Sequence, residues 1–131
     1  MIGLDTNVLV RYLAQDDSAQ SPTATELIEQ RLTEDEPVFI SVVAMAEVAW
    51  VLERAYGLAD QKIAAAIEGV LQVEVLVVEN EQEVFTAMIA LKAGRGSFAD
   101  ALIGALGAKA GCSRTLTFDQ RAQRLSGFEL L

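Results

Sequence analysis

Short runs rich in valine and isoleucine alternate along this chain with longer stretches whose apolar residues recur every three or four positions. Residues 1–4, MIGL, read as a short, fully buried strand. Over 6–14, Val8, Leu9, Tyr12 and Leu13 fall on one helical face. A polar stretch over 16–21 separates that helix from the next. Ser21-Pro22 then predicts a helix start, with proline at the first helical position and Leu27, Ile28 and Leu32 as the buried stripe. Residues 38–40 predict a second strand. Ser41 is placed to cap a long helix to Tyr56, which Gly57 stops. A further helix over 60–71 leads to a valine-rich strand over 73–78. Asn80 with Glu83, and Ser97 with Asp100, have the spacing of capping boxes. They open helices running to Lys92 and Lys109, with a flexible break at Gly94 to Gly96 between them and a stop at Gly111. Residues 115–117 predict a fourth strand, 120–125 a short helix and 128–131 a fifth strand.

Strands alternating with helices predict an α/β domain with a mainly parallel sheet covered on both faces. Repeats, low-complexity tracts and linkers are absent, so residues 1–131 read as one domain. A hydrophobic fraction of 52% is ample for its core. Cys112 is the only cysteine, which suits a reducing compartment. Asp5 interrupts the first apolar run, unlike a signal peptide, and the longest nearly uncharged stretch, 39–52, contains Glu47 and is too short for a bilayer. The expectation is a soluble, cytoplasmic protein without membrane association. The net charge of −9 argues against a nucleic-acid binder unless local geometry or a bound metal reverses the field. It also suggests affinity for a basic partner segment.

Four acids stand out against this background. Asp5 ends MIGLD, Glu47 lies within VVAMAEVAWVL, Asp100 opens FADALIGAL and Asp119 ends TLTFD. Asp5 and Asp119 fall at the carboxyl ends of predicted strands, where parallel sheets bind ligands. Glu47, about two turns into its helix, and Asp100, in the first turn of another, can project to the same edge. Carboxylates brought that close would repel one another and hold protons unless a divalent cation kept them ionised. Oxygen donors without histidine favour Mg²⁺ or Mn²⁺ over zinc. Such an ion activates water and stabilises charge on a phosphoryl oxygen. Histidine-pair ribonuclease chemistry is excluded, because the chain has no histidine.

Each acid also has a plainer reading. Asp5 and Asp119 suit helix caps, and Asp100 suits the reaching-back acid of a capping box. Glu47 has apolar neighbours in Val43, Ala44, Val48 and Val51, so burial would demand a partner such as Arg54. Thr6, Asn7 and Thr117 are placed to support the acids by hydrogen bonds, or to serve as ordinary helix and strand residues. Arg11, Arg54, Lys92 and Arg95 are candidates for phosphate contact or plain solvated charges. Trp50 and Tyr12 read as core or interface rather than as a platform for bases.

LDTNVLVRYL, the serine and glutamate of ISVVAMAEV, SFADALIGALGAKAGC and TLTFD together resemble PIN domains, and most closely the VapC-type toxins of toxin–antitoxin pairs. The resemblance covers essentially the whole chain, although Ser97 stands where an aspartate often precedes this block. It implies a three-layer α/β/α sandwich and a Mg²⁺-dependent endoribonuclease whose acidic pocket maps onto Asp5, Glu47, Asp100 and Asp119. Asp5 and Asp100 match the central metal ligands, Glu47 the helix glutamate, and Asp119 the more variable late acid. It further implies RNA as substrate, a homodimer, and a cognate antitoxin that binds through a basic segment. Two rivals stay open: a non-catalytic PIN-like binding module, and a phosphohydrolase with Asp5 as an aspartyl nucleophile. Asn7, where haloacid-dehalogenase-like enzymes carry a second acid, lowers the odds of the latter.

Overall fold

The computed structural model describes all 131 residues. In chain order the elements are β1 (Ile2–Gly3), α1 (Thr6–Ala14), α2 (Gln20–Glu26) with a wider turn over Leu27–Arg31, β2 (Val38–Ile40), α3 (Val42–Arg54) and α4 (Asp60–Gln72). There follow β3 (Leu76–Val78), α5 (Glu81–Lys92), α6 (Phe98–Lys109), β4 (Thr115–Thr117), a tight 3₁₀ turn (Ala122–Arg124) and β5 (Phe128–Leu130). The α/β class expected from the alternation is the class observed, and every pairing among the five strands is parallel. No helix is long and apolar enough to cross a membrane.

The strands form two ladders. β2 is central to the first, flanked by β1 and β3, and β4 pairs only with β5 in the second. β1 therefore has a partner on one side alone, and Ile2 is 41% exposed. The expectation of a fully buried first strand is corrected by this edge position. β3 is also shorter than expected, because the chain turns over residues 73–75 (Leu76 N–H to Val73 O, 3.0 Å) and pairing begins only at Leu76, opposite Val38.

One continuous core joins the helices to the first ladder. It holds Leu9 from α1, Val38 and Ile40 from β2, Met45, Val48 and Leu52 from α3, Ile67 from α4, and Val84 and Met88 from α5, all essentially inaccessible. α6 adds Phe98, Ala101 and Leu102, and the segment after β4 adds Leu125. Burial of each large side chain contributes about 1.5–3 kcal/mol.

Local chemistry explains most helix ends. Ser41 Oγ accepts from the Ala44 N–H at 3.1 Å, as a cap should, and Glu79 from the end of β3 accepts from the Val42 N–H at 2.9 Å. A carboxylate at a helix N-terminus also meets the favourable end of the dipole. The second helix starts otherwise than expected. Its N-cap is Ala19, and Asp17, two residues earlier, accepts from the Gln20 and Ala19 N–H groups at 2.7 and 2.9 Å, which holds its carboxyl below the usual carboxylate range. Pro22 thus falls third in the helix, still within the turn that lacks internal N–H partners. Ser21 is instead buried, and its hydroxyl donates to the Arg11 carbonyl at 2.8 Å, tying α2 to α1.

The capping box expected at Asn80 does not form. Asn80 adopts φ +50°, and its Oδ1 accepts from Lys109 Nζ at 2.8 Å, while Glu83 pairs with the same ammonium at 3.3 Å. Both side chains serve the far end of α6 rather than the start of α5.

The second ladder seats on α6 through Gly104. A Cβ there would lie 2.5 Å from Phe128 Cε1 on β5. Gly104→Ala is accordingly expected to destabilise the protein by about 1–3 kcal/mol, as overpacking does, despite alanine's better helix propensity. A urea midpoint equal to wild type would show that β5 does not bear on α6.

Candidate functional site

The turn between α5 and α6 builds one wall of a cleft. Gly94 takes φ +71°, a conformation that L side chains rarely adopt. Its N–H donates to Leu91 O (2.9 Å) and the next N–H, of Arg95, donates to Ala90 O (3.1 Å), so the reversal is tight. Gly96 packs against Leu125, where an added Cβ would come within 2.9 Å of Cδ1. That contact brings the turn up to the 3₁₀ segment after β4. Ser97 then caps α6, its Oγ accepting from the Asp100 N–H at 3.1 Å. The capping box is only half made, since Asp100 gives no bond back to Ser97. The Asp100 carboxylate is left partly exposed and faces the cleft.

Asp119 arrives from the opposite side. Its N–H donates to Thr117 Oγ1 at 3.0 Å, and its Oδ1 accepts from the Arg121 N–H at 2.8 Å. Thr117 thus orients the turn that carries Asp119, and this acid also caps the turn it opens. Asp100 and Asp119 line one cavity of about 140 Å³ together with Arg95, Arg121 and Arg124. Glu53 and Asp60, from the end of α3 and the start of α4, complete its acidic lining. Leu91 and Ala122 are its only apolar residues.

The other two acids lie off this cleft. Asp5 is exposed at the end of β1, where Oδ1 accepts from the Thr6 N–H at 2.8 Å and caps α1. Thr6 is buried at the start of α1, and Asn7 is exposed. Glu47 is exposed rather than buried, which corrects the expectation drawn from its apolar neighbours. It shares its face with Val43 and Trp50, both solvent-facing, at helical spacings of four and three residues. No group of three carboxylates stands close enough to hold one ion. Asp5 and Asp119 follow strands of different ladders, which do not pair with each other.

The basic candidates divide similarly. Of the four, only Arg95 lines the cleft. Arg11 is bound by Asp16 (3.1 Å), Gln20 Oε1 (2.9 Å) and the Tyr56 hydroxyl (3.2 Å). Tyr56 in turn donates to Asp16 at 2.7 Å, and this bond is the main reason that the Asp16 carboxyl lies below its ordinary range. Arg54 lies over the Trp50 ring, 5.6 Å from its centroid, so it does not serve Glu47. Trp50 itself is 58% exposed and not part of the core. Tyr12 is half-buried and bonds Glu29 at 3.3 Å. Lys92 is exposed in the last turn of α5.

Arg121 and Arg124 were not among the candidates read from sequence. Their signal is in DQRAQRL, where two arginines stand three residues apart. In a 3₁₀ turn such residues eclipse one another and point to one side.

Oxygen donors in a polar cleft fit a small hard cation. Mg²⁺ keeps several waters and is commonly held by only one or two carboxylates plus substrate phosphates. Asp100 and Asp119 match that donor set, whereas a preformed four-carboxylate cage is not present.

Among protein families, the model described as PIN domain matches residues 2–127, nearly the whole chain. No curated protein matches the chain.

Proposed function

The chain belongs to the PIN domain family, whose general function is that of a nuclease, and on that premise we propose a Mg²⁺-dependent endoribonuclease, the toxin of a VapBC-type pair. The observation that carries the reading is the cleft in which Asp100 and Asp119 face each other's segments beside three arginines. Asp100 and Asp119 are the residues to hold the ion there. Bound magnesium or manganese supplies an activated water and a counter-charge for the phosphoryl oxygen. The protein's share is placement. The Ser97 cap fixes the first turn of α6 and so the stem of Asp100, and the Thr117 hydroxyl fixes the turn bearing Asp119. Asp5 and Glu47 belong to the proposal as acids supplied from the first ladder, Asp5 directly after a parallel strand and Glu47 in the helix that follows the next. Thr6 and Asn7 support Asp5 from the following turn. The acidic surface, with its net charge of −9, suits an antitoxin's basic segment, and a homodimer in the cytoplasm goes with this assignment.

The decisive test is cleavage of end-labelled structured RNA with Mg²⁺ or Mn²⁺. Expected products carry a 5′-phosphate and a 3′-hydroxyl, and excess chelator stops their formation. Ends bearing a 2′,3′-cyclic phosphate, or activity untouched by chelator, contradict the reading.

One observation favours a second reading, a non-catalytic PIN-like module: no three carboxylates are grouped. Calorimetric titration with Mn²⁺ separates the two. Heat of binding by the wild type that Asp100→Asn removes favours the enzyme, and no heat at all favours the module.

A further inference from the structure

We propose that Arg95, Arg121 and Arg124 form a base-blind seat for the sugar–phosphate backbone of single-stranded RNA, which holds the strand over Asp100 and Asp119. The proposal rests on the nuclease reading for its ligand, an RNA strand, and goes beyond it by naming the residues that grip the strand and what they ignore.

The first observation is that three exposed guanidinium groups line one cavity without anionic partners. The ion pairs of the chain engage Arg11, Lys109 and Arg114 instead. Guanidinium carries a fixed fork of donors that matches phosphate oxygens, so unpaired arginines collected in a concavity suit that anion best. The second observation concerns placement. Arg95 follows the tight reversal at Gly94, and Arg121 and Arg124 stand one 3₁₀ turn apart on the facing segment. The seating of Gly96 on Leu125 locks the two segments together. The third is what the cleft lacks. No aromatic ring lines it, and its apolar residues are Leu91 and Ala122 alone. Stacking on aromatic side chains is the usual grip on an unpaired base, and the cavity itself offers none; the exposed ring of Phe118 stands just before Asp119, outside the lining. A cavity of about 140 Å³ also admits a phosphate group far more readily than a duplex.

The local charge answers the objection raised by the whole chain. Four carboxylates and three guanidiniums line the cleft. It is therefore close to neutral on its own, and a divalent cation on Asp100 and Asp119 makes it attractive to an anion, although the protein as a whole carries −9.

The experiment measures fluorescence anisotropy of labelled single-stranded RNA on the otherwise wild-type protein with Ca²⁺ in place of Mg²⁺, so that Asp100 and Asp119 keep a divalent cation on oxygen ligands while the larger, less polarising ion activates water poorly and cleavage stays slow. Affinity is read over a range of salt concentrations with A-, U- and C-rich oligonucleotides. Arg121→Gln/Arg124→Gln is expected to weaken binding roughly tenfold, by the same factor for every sequence. It should flatten the plot of log affinity against log salt by about 1.4, at about 0.7 for each phosphate contact on a single strand. Arg121→Lys/Arg124→Lys keeps the charge and should retain most of the slope, which guards against loss of folding in the glutamine variant. Arg31→Gln, outside the cleft, should leave the slope unchanged.

An unchanged slope in the double glutamine variant, a loss confined to one base composition, or an equal loss in Arg31→Gln would overturn the backbone seat. The outcomes also separate the two claims. Metal-dependent cleavage with an arginine-independent slope removes this inference alone. Arginine-dependent binding by a wild type that cuts no RNA at any metal concentration removes the nuclease reading alone.

Discussion

Asp100→Asn is expected to slow RNA cleavage by about a hundredfold or more while the fold stays intact. Even partners that only orient a metal's ligands typically cost 10–100-fold when replaced, so a direct ligand should cost at least the upper end of that range. The structural side of the substitution is small. Ser97 Oγ accepts from the backbone N–H of residue 100, which asparagine keeps, and the carboxylate makes no return bond to the cap. What stability is lost comes from a negative charge near a helix N-terminus, about 0.3–1 kcal/mol. Two outcomes are thus distinguishable in one preparation. A collapse of the single-turnover rate with a nearly unchanged melting temperature assigns Asp100 to chemistry. A rate within a few-fold of wild type, accompanied by a lower melting temperature, would return Asp100 to a purely structural place at the start of α6 and remove the residue on which the nuclease reading leans most.

The contrast between Asp100 and Glu47 shows what the sequence could convey. Caps and stops are local, so Ser41, Ser97, Gly57 and Gly111 were legible from their neighbours alone. Asn80 and Glu83 had equally good local spacing and still failed, because Lys109, remote in the chain, captured both side chains. The burial expected of Glu47 failed for a related reason. An apolar neighbourhood in sequence does not fix which face of a helix is buried, and α3 keeps Val43 and Trp50 in solvent beside it. The class of fold needed only the alternation of elements. The assembly of the acids needed the strand order, and no periodicity announces that β4 joins β5 without joining β1. Arg121 and Arg124 were visible as a pair, but their meaning depended on Gly96 and Leu125 meeting across the cleft.

The site's reliance on the core gives the second large effect. Phe98 is the first residue of α6, only 2% exposed, and part of the same cluster as the central helices. Phe98→Ala is expected to cost about 3–5 kcal/mol, the usual penalty for removing a buried ring and leaving a cavity. Against a total stability of about 5–15 kcal/mol for an ordinary domain, that is enough to shift the urea midpoint far to the left. The ring lies two residues before Asp100 and beside the Ser97 cap, so the void opens directly under the first turn of α6. Cleavage should therefore fall as well, even at low urea where the variant is still folded. Phe98→Leu fills more of the space and should recover part of both losses together. If alanine lowers stability by the expected amount but the folded variant cleaves at the wild-type rate, the core does not hold Asp100 in register. The placement of that carboxylate would then have to come from the Ser97 cap and the Gly94 turn alone.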